Sequence, residues 1–208
     1  VVSDGETVLM TSETAGDEPF MLASSLEGVP VIVGQDRYRS GCLAVRRFKP
    51  DLVLLDDGFQ HVRLERDLNL LLLDSRRPLG NGHLIPLGVL RELPLAIQRA
   101  HAVIMTRVTQ DKRPLPARVD RYASGKPAFF AYHQPIVQGL LTAHQTPPKT
   151  SLILPENVPP LEERRVFAFS GIARNDDFFK SLEQLKTKTV GQRAFLDHYR
   201  YSKEELIA

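Results

Sequence analysis

Two neighbouring aspartates, Asp56 and Asp57, are the side chains of this chain best suited to chemistry. They follow four apolar residues at positions 52–55 and precede glycine, phenylalanine, glutamine and histidine at positions 58–61. Such an apolar run predicts a buried parallel strand, and ligands of open α/β sheets bind at the carboxyl ends of strands. A carboxylate there can hold Mg²⁺ beside a nucleotide phosphate. The pattern predicts a metal site, although a strand that ends in an Asp57-Gly58 turn would look the same.

A second acidic pair, Asp17 and Glu18, lies between Gly16 and Pro19 at the predicted start of a helix. An aspartate in that position can accept hydrogen bonds from the exposed N–H groups of the first turn. It can equally act as a base beside a phosphate site and take a proton from an attacking hydroxyl. The sequence leaves both roles open for Asp17.

A glycine-rich loop at positions 80–88 contains three glycines and Asn81, and Arg91 and Glu92 follow it. Glycine allows backbone to approach a ligand closely, and arginine is able to clamp a phosphate. A surface turn followed by a solvated helix face is the alternative interpretation. His198 follows Asp197, and its sequence context alone indicates a structural or surface histidine rather than a catalytic one.

Composition narrows the class of protein. The 208 residues have room for one large domain or two small ones, and a formal net charge of +2 does not suggest a partner among nucleic acids. The single cysteine excludes an internal disulfide and fits a reducing compartment. No apolar run reaches the length of a membrane-spanning helix. The phosphate-binding pattern GxxxxGK[ST] is absent from these residues, and we expect the chain to be cut from a longer protein.

Apolar periodicity and turn residues predict alternating strands and helices, which is typical of a parallel α/β sheet. A hairpin is predicted at residues 1–10. Strands are predicted at residues 29–33, 52–55, 68–73, 102–105 and 166–170. Helices are predicted at residues 17–26, 36–48, 89–99 and 176–185, and another helix begins near residue 202. The proline-rich residues 114–160 are predicted to be extended connections between two lobes.

The order of these motifs closely resembles the tetraacyldisaccharide 4'-kinase family, which acts in lipid A biosynthesis of Gram-negative bacteria. The resemblance spans essentially the whole chain. It is carried by GDEP at 16–19, LDDGFQH at 55–61, RDL at 66–68, GNG at 80–82, LRE at 90–92, FSGI at 169–172, FF at 178–179 and DH at 197–198.

The resemblance implies an α/β fold of the P-loop-kinase type, with two α/β/α sandwich lobes and the P-loop segment missing. Residues 1–126 would be the remainder of the nucleotide-binding lobe. Residues 127–208 would be the linker and a smaller, truncated substrate lobe.

The resemblance also implies an activity, in which the γ-phosphate of ATP passes to the 4'-hydroxyl of a tetraacyl disaccharide 1-phosphate, the lipid A precursor, with Mg²⁺. The family works at the cytoplasmic face of the inner membrane, and contact with the membrane surface would be peripheral for this chain. Asp17 would be the base and His198 its partner. Asp56, Asp57, Gln60 and His61 would form the nucleotide and metal site of the Walker B region, and Glu18, Asn81, Arg91 and Glu92 would contact substrate or phosphate.

We expect this chain by itself to be an inactive fragment of the kinase. From the residues alone, two other functions remain open. The first is a non-catalytic module that binds lipid or nucleotide. A metal-dependent phosphohydrolase that uses Asp56, Asp57 and His61 would explain neither the GDEP nor the GNG segment.

Overall fold

A computed structural model describes residues 1–108, 114–137, 160–202 and 205. The helices are α1 (Ser12–Ala15), α2 (Asp17–Ser25), α3 (Arg37–Phe48), α4 (Ala117–Ala123) and α5 (Asn175–Gln184), with a 3₁₀ helix at Pro94–Arg99. The strands are β1 (Leu70–Asp74), β2 (Ala102–Thr106), β3 (Ala128–Phe130), β4 (Arg165–Ser170) and β5 (Lys188–Ala194). The chain divides into two compact units, of which the first contains Val1–His133 and the second contains the described residues from Gln134 onward.

A parallel sheet in the order β1-β2-β3 forms the centre of the first unit. The middle strand is apolar on both faces, and its Val103 and Met105 are 0% and 1% exposed. They pack with Ile97 of the 3₁₀ helix and with Val119 of α4. Burial of these side chains, at roughly 1.5–3 kcal/mol each, stabilises the sheet on which the carboxyl ends of β1 and β2 are displayed.

A second, smaller cluster in the first unit holds the N-terminal segment. Val2 is buried with Ala15 of α1 and Ala23 of α2. Backbone hydrogen bonds join Val2 to Leu9 and to Val31, as in a hairpin with an added third segment. The predicted hairpin at residues 1–10 is therefore confirmed by an antiparallel bridge between Ser3 and Val8.

In the second unit, β4 and β5 form a parallel pair with α5 between them in the chain. This is a βαβ unit. Its apolar side chains include an aromatic cluster of Phe169, Phe195, Tyr199 and Tyr201, in which the rings meet mostly edge to face. Both described sheets are thus parallel, as the α/β fold class predicts.

Six predicted elements are confirmed within a residue or two: the helices α2, α3 and α5, and the strands β1, β2 and β4. The strand predicted at residues 52–55 is wrong. These residues are irregular, and Leu52 and Leu54 are 73% and 86% exposed. A strand requires a neighbour for its backbone N–H and C=O groups, and no strand of the described residues pairs with this run.

Three further predictions need correction. Residues 29–33 form only an isolated bridge at Val31. The helix predicted at 89–99 is limited to Pro94–Arg99, because Pro94 lacks an N–H group and disfavours helical geometry in the residue before it. The proline-rich segment is not wholly extended, since it contains α4 and β3.

Strand β3 pairs with β2, and the first compact unit includes residues up to His133. The division into functional lobes between residues 126 and 127 stays a prediction. Strand β5 was not predicted, because its sequence KTVGQRA lacks an apolar run. Residues 138–159 of the predicted linker and most of the helix predicted from residue 202 lie outside the described residues.

Among the residues that the structure describes, no helix combines the length and apolar character needed to cross a bilayer.

Ionic contacts connect the carboxyl ends of β1 and β2. Asp74 accepts hydrogen bonds from the Arg107 guanidinium at 2.9 Å and from the Arg76 backbone N–H at 3.0 Å. Burial raises the pKa of the Asp74 carboxyl, but the hydrogen bonds from Arg76 and Arg107 outweigh burial and lower it to about 2. The charged Asp74 carboxylate therefore stabilises the contact between the carboxyl ends of β1 and β2 at neutral pH.

Replacing Asp74 with asparagine is expected to lower the free energy of unfolding by at most about 2 kcal/mol at neutral pH. Because the folded-state pKa is depressed, this contribution is fully present above the unfolded-state pKa near 3.8 and is lost as pH falls toward about 2. Urea unfolding of both proteins at about pH 6 and about pH 3 measures the difference. Asp51→Asn, at an exposed position, is the control. A wild-type advantage that does not shrink at the lower pH would contradict the assignment.

Candidate functional site

The predicted metal-site turn, residues 56–61, is tightly folded although no strand precedes it. The N–H of Asp57 donates to Oδ1 of Asp56 at 2.9 Å, and the N–H of His61 donates to the Gly58 carbonyl at 3.0 Å. Asp57 has a φ of 46°, a left-handed conformation that aspartate tolerates better than most residues. The turn projects the Asp57 side chain toward the segment that follows the glycine-rich loop.

Asp57 and Arg91 form a bidentate ion pair across 34 residues of sequence. Arg91 Nη2 lies 2.6 Å from Asp57 Oδ1, and Nη1 lies 2.9 Å from Oδ2. The hydrogen bonds from Arg91 lower the pKa of the Asp57 carboxyl, and those to Asp57 raise the pKa of Arg91. Both side chains are more than half exposed. Because solvent screens the attraction between them, the ion pair adds little to the stability of the fold. Its main effect is to fix the orientation of the two side chains.

A second set of contacts joins the same two segments. Gln60 Nε2 donates to Glu92 Oε1 at 2.8 Å, and Arg99 Nη2 lies 2.7 Å from Glu92 Oε2. The Arg99 guanidinium also lies 4.7 Å from the centre of the Phe59 ring and donates to the Phe59 carbonyl at 3.3 Å. Arg91 and Glu92 are not helical, so the alternative interpretation of a solvated helix face is wrong.

Arg66 holds the turn from its other side. Its Nη1 donates to the Gly58 carbonyl and, at 3.0 Å, to the His61 carbonyl. Sequence reasoning placed Arg66 within a family motif but assigned it no role, and it missed Arg99 altogether. For Arg99 the sequence offers no signal, because the residue lies at the end of a 3₁₀ helix that is itself shorter than predicted.

The glycine-rich loop is closed by Asn81. The Asn81 side chain donates from Nδ2 to the Leu87 carbonyl at 2.8 Å and accepts the His83 N–H at 3.2 Å. A Cβ at Gly88 would overlap Asn81 Oδ1 and the His83 carbonyl. The amide of Asn81 therefore shapes the loop, and its predicted contact with substrate stays a prediction.

A cleft of about 290 Å³ lies beside these contacts in the first unit. The turn, β1 and the glycine-rich loop all contribute to its wall. Its polar lining residues are Gln60, Asp74, Arg77, Arg91 and Glu92, and its apolar ones include Phe59, Leu73, Leu79 and Ile97. Oε1 of Gln60 is buried without a hydrogen-bond partner in the described part of the chain.

Asp17 and Glu18 are exposed in the first turn of α2. The N-cap is Gly16, with a φ of 93°, so Asp17 is not the capping residue. A carboxylate in the first turn is favoured by the partial positive charge of the helix N-terminus.

His198 belongs to the second unit. Its φ is 56°, its N–H donates to the Gly171 carbonyl at 3.1 Å, and its Nε2 lies 3.9 Å from Asp197 Oδ2. The side chain is 64% exposed, which agrees with the surface interpretation. Asp17 and His198 lie in different units, and their action as a pair stays a prediction.

The donors present suit a hard cation such as Mg²⁺, which prefers oxygen and usually takes only one or two protein carboxylates. Asp56 and the buried Gln60 Oε1 are oxygen donors, whereas both oxygens of Asp57 accept hydrogen bonds from Arg91. In the described residues no group of three or more His, Cys, Asp or Glu side chains gathers to hold a metal. Phosphate and water would have to complete the coordination of any ion there.

Comparison with known proteins gives one consistent family. The sequence model of the family described as tetraacyldisaccharide-1-P 4'-kinase matches residues 1–208. The tetraacyldisaccharide 4'-kinase of Geobacter metallireducens is 41% identical over 206 residues, which are 99% of this chain and 56% of that protein. The corresponding protein of Pelobacter propionicus is 42% identical over 204 residues, which are 97% of this chain and 52% of that protein.

The crystal structure of LpxK from Aquifex aeolicus in complex with ATP has the same fold, with a TM-score of 0.74 and 36% identity. The match covers 97% of this chain and 58% of the Aquifex chain. The chain thus spans about half the length of the curated relatives it matches.

Removing the Arg91 charge by Arg91→Gln is expected to raise the pKa of Asp57 toward that of a free aspartate, because the hydrogen-bonded guanidinium is the main cause of its depression. NMR titration of the aspartate carboxyl carbons measures the pKa in both proteins. In the wild type the ion pair is intact above the ordinary aspartate pKa and is lost as pH falls through the lowered value.

Arg46→Gln is the control for this titration, since Arg46 is exposed on α3. An Asp57 pKa that is the same in wild type and Arg91→Gln would mean that the ion pair does not form in solution.

Proposed function

Because the chain belongs to the tetraacyldisaccharide-1-P 4'-kinase family, we propose that its protein transfers the γ-phosphate of ATP to the 4'-hydroxyl of a tetraacyl disaccharide 1-phosphate in lipid A biosynthesis. The observation that carries this proposal is the linkage of the DDGFQH turn to the LRE segment. The Asp57–Arg91 and Gln60–Glu92 contacts bring both motifs to one cleft.

ATP is the proposed phosphate donor, and the Aquifex relative in complex with ATP supports this choice. Asp56, Asp57, Gln60 and His61 form the proposed nucleotide and metal site. Asp56 and Asp57 are the proposed ligands of Mg²⁺, and Asp56 is the one of the two that Arg91 does not engage. When bound, the ion supplies neutralisation of the charge on the transferred phosphate.

The residues of this chain hold charged side chains in place around the proposed phosphate site. Phosphoryl transfer requires little covalent chemistry from the protein, so catalysis depends on groups that are oriented before the reaction. Asp57 holds the Arg91 guanidinium in a fixed orientation, and Gln60 and Arg99 do the same for the Glu92 carboxylate. Side chains that are already oriented need little reorganisation when phosphate binds.

Asp17 is the proposed general base, which takes the proton of the 4'-hydroxyl as the phosphate is transferred. Its exposed position in the first turn of α2 allows a substrate hydroxyl to reach it. His198 is proposed to orient Asp17. Their action as a pair would couple substrate binding to chemistry.

We further propose that the protein acts at the cytoplasmic face of the inner membrane, where its lipid acceptor would be presented. The contact proposed for this chain is peripheral. Glu18 is proposed to help to bind the acceptor beside Asp17.

A non-catalytic module that binds nucleotide or lipid is the second candidate. The observation that favours it is the engagement of both Asp57 oxygens by Arg91, which competes with the binding of a metal ion at that carboxylate. Transfer of phosphate to the acceptor separates the two functions.

Asp17→Asn is expected to lower kcat for Mg²⁺-dependent transfer from ATP to the tetraacyl disaccharide 1-phosphate by roughly 10²- to 10⁴-fold, the usual contribution of a general base. Radiolabelled γ-phosphate in the lipid product is measured with the full-length gene product. Glu27→Gln, at an exposed position just after α2, is the control. Wild-type protein that binds acceptor but transfers nothing would support the binding module instead.

If Asp17 and His198 act as one unit, Asp17→Ala and His198→Ala are expected to be strongly non-additive in kcat. The double variant would then be little slower than the slower single variant, because either change alone disables the pair. A double-mutant cycle on kcat measures this. Independent, multiplicative losses would contradict the dyad while leaving the kinase assignment intact.

A further inference from the structure

The end of the glycine-rich loop is apolar and exposed. Residues 84–90, which we call the apolar tip, read LIPLGVL and contain no charged or hydrogen-bonding side chain. Ile85 and Leu87 are 63% and 79% exposed, and Val89 is exposed as well. A run of exposed aliphatic side chains is unusual in a soluble protein and marks a surface that contacts a membrane or another molecule.

Hydrogen bonds hold the backbone of the apolar tip in place. The N–H of Ile85 donates to the Leu90 carbonyl at 3.0 Å, and Asn81 Nδ2 donates to the Leu87 carbonyl at 2.8 Å. Neither bond uses the side chain of Ile85 or of Leu87. The two side chains are therefore presented by an ordered loop, and the loop does not need them in order to close.

The apolar tip extends beyond the cleft described above. Val89 and Leu93 line the cleft, whereas Ile85 and Leu87 do not. The apolar surface thus begins at the cleft and continues outside it. Pockets that bind single small molecules are concave, and side chains as exposed as those of Ile85 and Leu87 offer no such wall to one acyl chain. The acyl region of a bilayer is able to surround them.

A cation lies beside the apolar tip. A Cβ added at Gly82 would lie 3.6 Å from Nη2 of Arg118, so the guanidinium of this exposed residue of α4 lies against the loop. Residues 80–90 contain no carboxylate. This combination matches the surface of an anionic bilayer, in which the acyl region takes up apolar side chains and the headgroups attract positive charge.

We propose that the apolar tip docks this protein on a bilayer that contains anionic phospholipid, with Ile85 and Leu87 in the acyl region and Arg118 at the headgroups. The inference rests on the proposed function, because it names the surface that makes the peripheral membrane contact. Docking here brings the adjoining cleft to the bilayer that holds the lipid acceptor. A protein partner fits less well, since protein interfaces usually carry about ten hydrogen bonds and the tip has no polar side chain.

Cosedimentation of the full-length gene product with vesicles of phosphatidylethanolamine and phosphatidylglycerol tests the proposal. The double variant Ile85→Ser, Leu87→Ser is expected to bind the vesicles roughly 10-fold or more weakly than wild type, because two aliphatic side chains no longer enter the acyl region. Arg118→Gln is expected to lose roughly 5-fold, and only when the vesicles contain the anionic phosphatidylglycerol. Unchanged affinity of the double variant would overturn the proposal.

The double variant Leu43→Ser, Val45→Ser is the matched control. It removes two exposed apolar side chains from α3, outside the apolar tip, and is expected to bind vesicles as wild type does. Melting temperatures of all variants show whether they fold. An equal loss of affinity in the control would overturn the proposal, because binding would then depend on exposed apolar surface in general.

Leu87→Trp measures the contact directly. Its fluorescence, taken as the difference from wild type, is expected to shift to shorter wavelength on the vesicles and to be quenched by brominated acyl chains. Neither shift nor quenching would overturn the proposal. So would a wild-type dimer that the variant Ile85→Ser, Leu87→Ser dissociates, which would make the apolar tip an interface between copies.

Phosphate transfer is measured separately from docking. With the acceptor dispersed in detergent, the variant Ile85→Ser, Leu87→Ser is expected to keep the wild-type KM and kcat, and with the acceptor in vesicles its rate is expected to fall. A raised KM in detergent with unchanged vesicle binding would assign the apolar tip to the acyl chains of the acceptor and overturn the proposal. If wild-type protein transfers no phosphate, the kinase assignment fails, and vesicle binding and quenching still decide the role of the tip.

Discussion

The bidentate ion pair between Asp57 and Arg91 is the contact on which the arrangement of the site depends. It joins a turn at residues 56–61 to a segment that follows the glycine-rich loop, and neither belongs to a regular element. Regular hydrogen-bonded ladders do not hold these pieces together, so side chains must. The neighbouring contacts of Glu92 with Gln60 and Arg99 join the same two segments in the same way, through polar side chains. A site built in this way depends on charge pairing as much as on packing.

Much of the first unit could be predicted from local patterns. Helix α3 begins after Asp36, whose carboxylate accepts the Arg39 N–H at 3.0 Å. Helix caps of this kind can be predicted from sequence, because few residue types form them. Strands β1 and β2 are runs of apolar residues that a buried parallel sheet requires. The run at residues 52–55 has the same composition and is not a strand. Composition records what a segment is able to bury, whereas strand formation depends on a partner elsewhere in the fold.

The candidate site was predictable by residue type and not by contact. Motif order identified Asp57, Gln60, Arg91 and Glu92, but nothing in the spacing showed that Asp57 pairs with Arg91 or that Gln60 pairs with Glu92. Arg66 acts through backbone carbonyls, and Arg99 acts through the Glu92 carboxylate, a backbone carbonyl and a ring face. Contacts of that kind depend on the folded path of the chain, which a pattern of letters does not encode.

The open side of β1 has a practical consequence for this chain in solution. In the order β1-β2-β3, β1 is an edge strand of the described sheet, and its Leu70 and Leu72 are exposed. Unpaired backbone groups beside exposed leucines form a template for pairing between molecules. The chain by itself should aggregate at high concentration, and lysine at position 72 would act as a gatekeeper against that association.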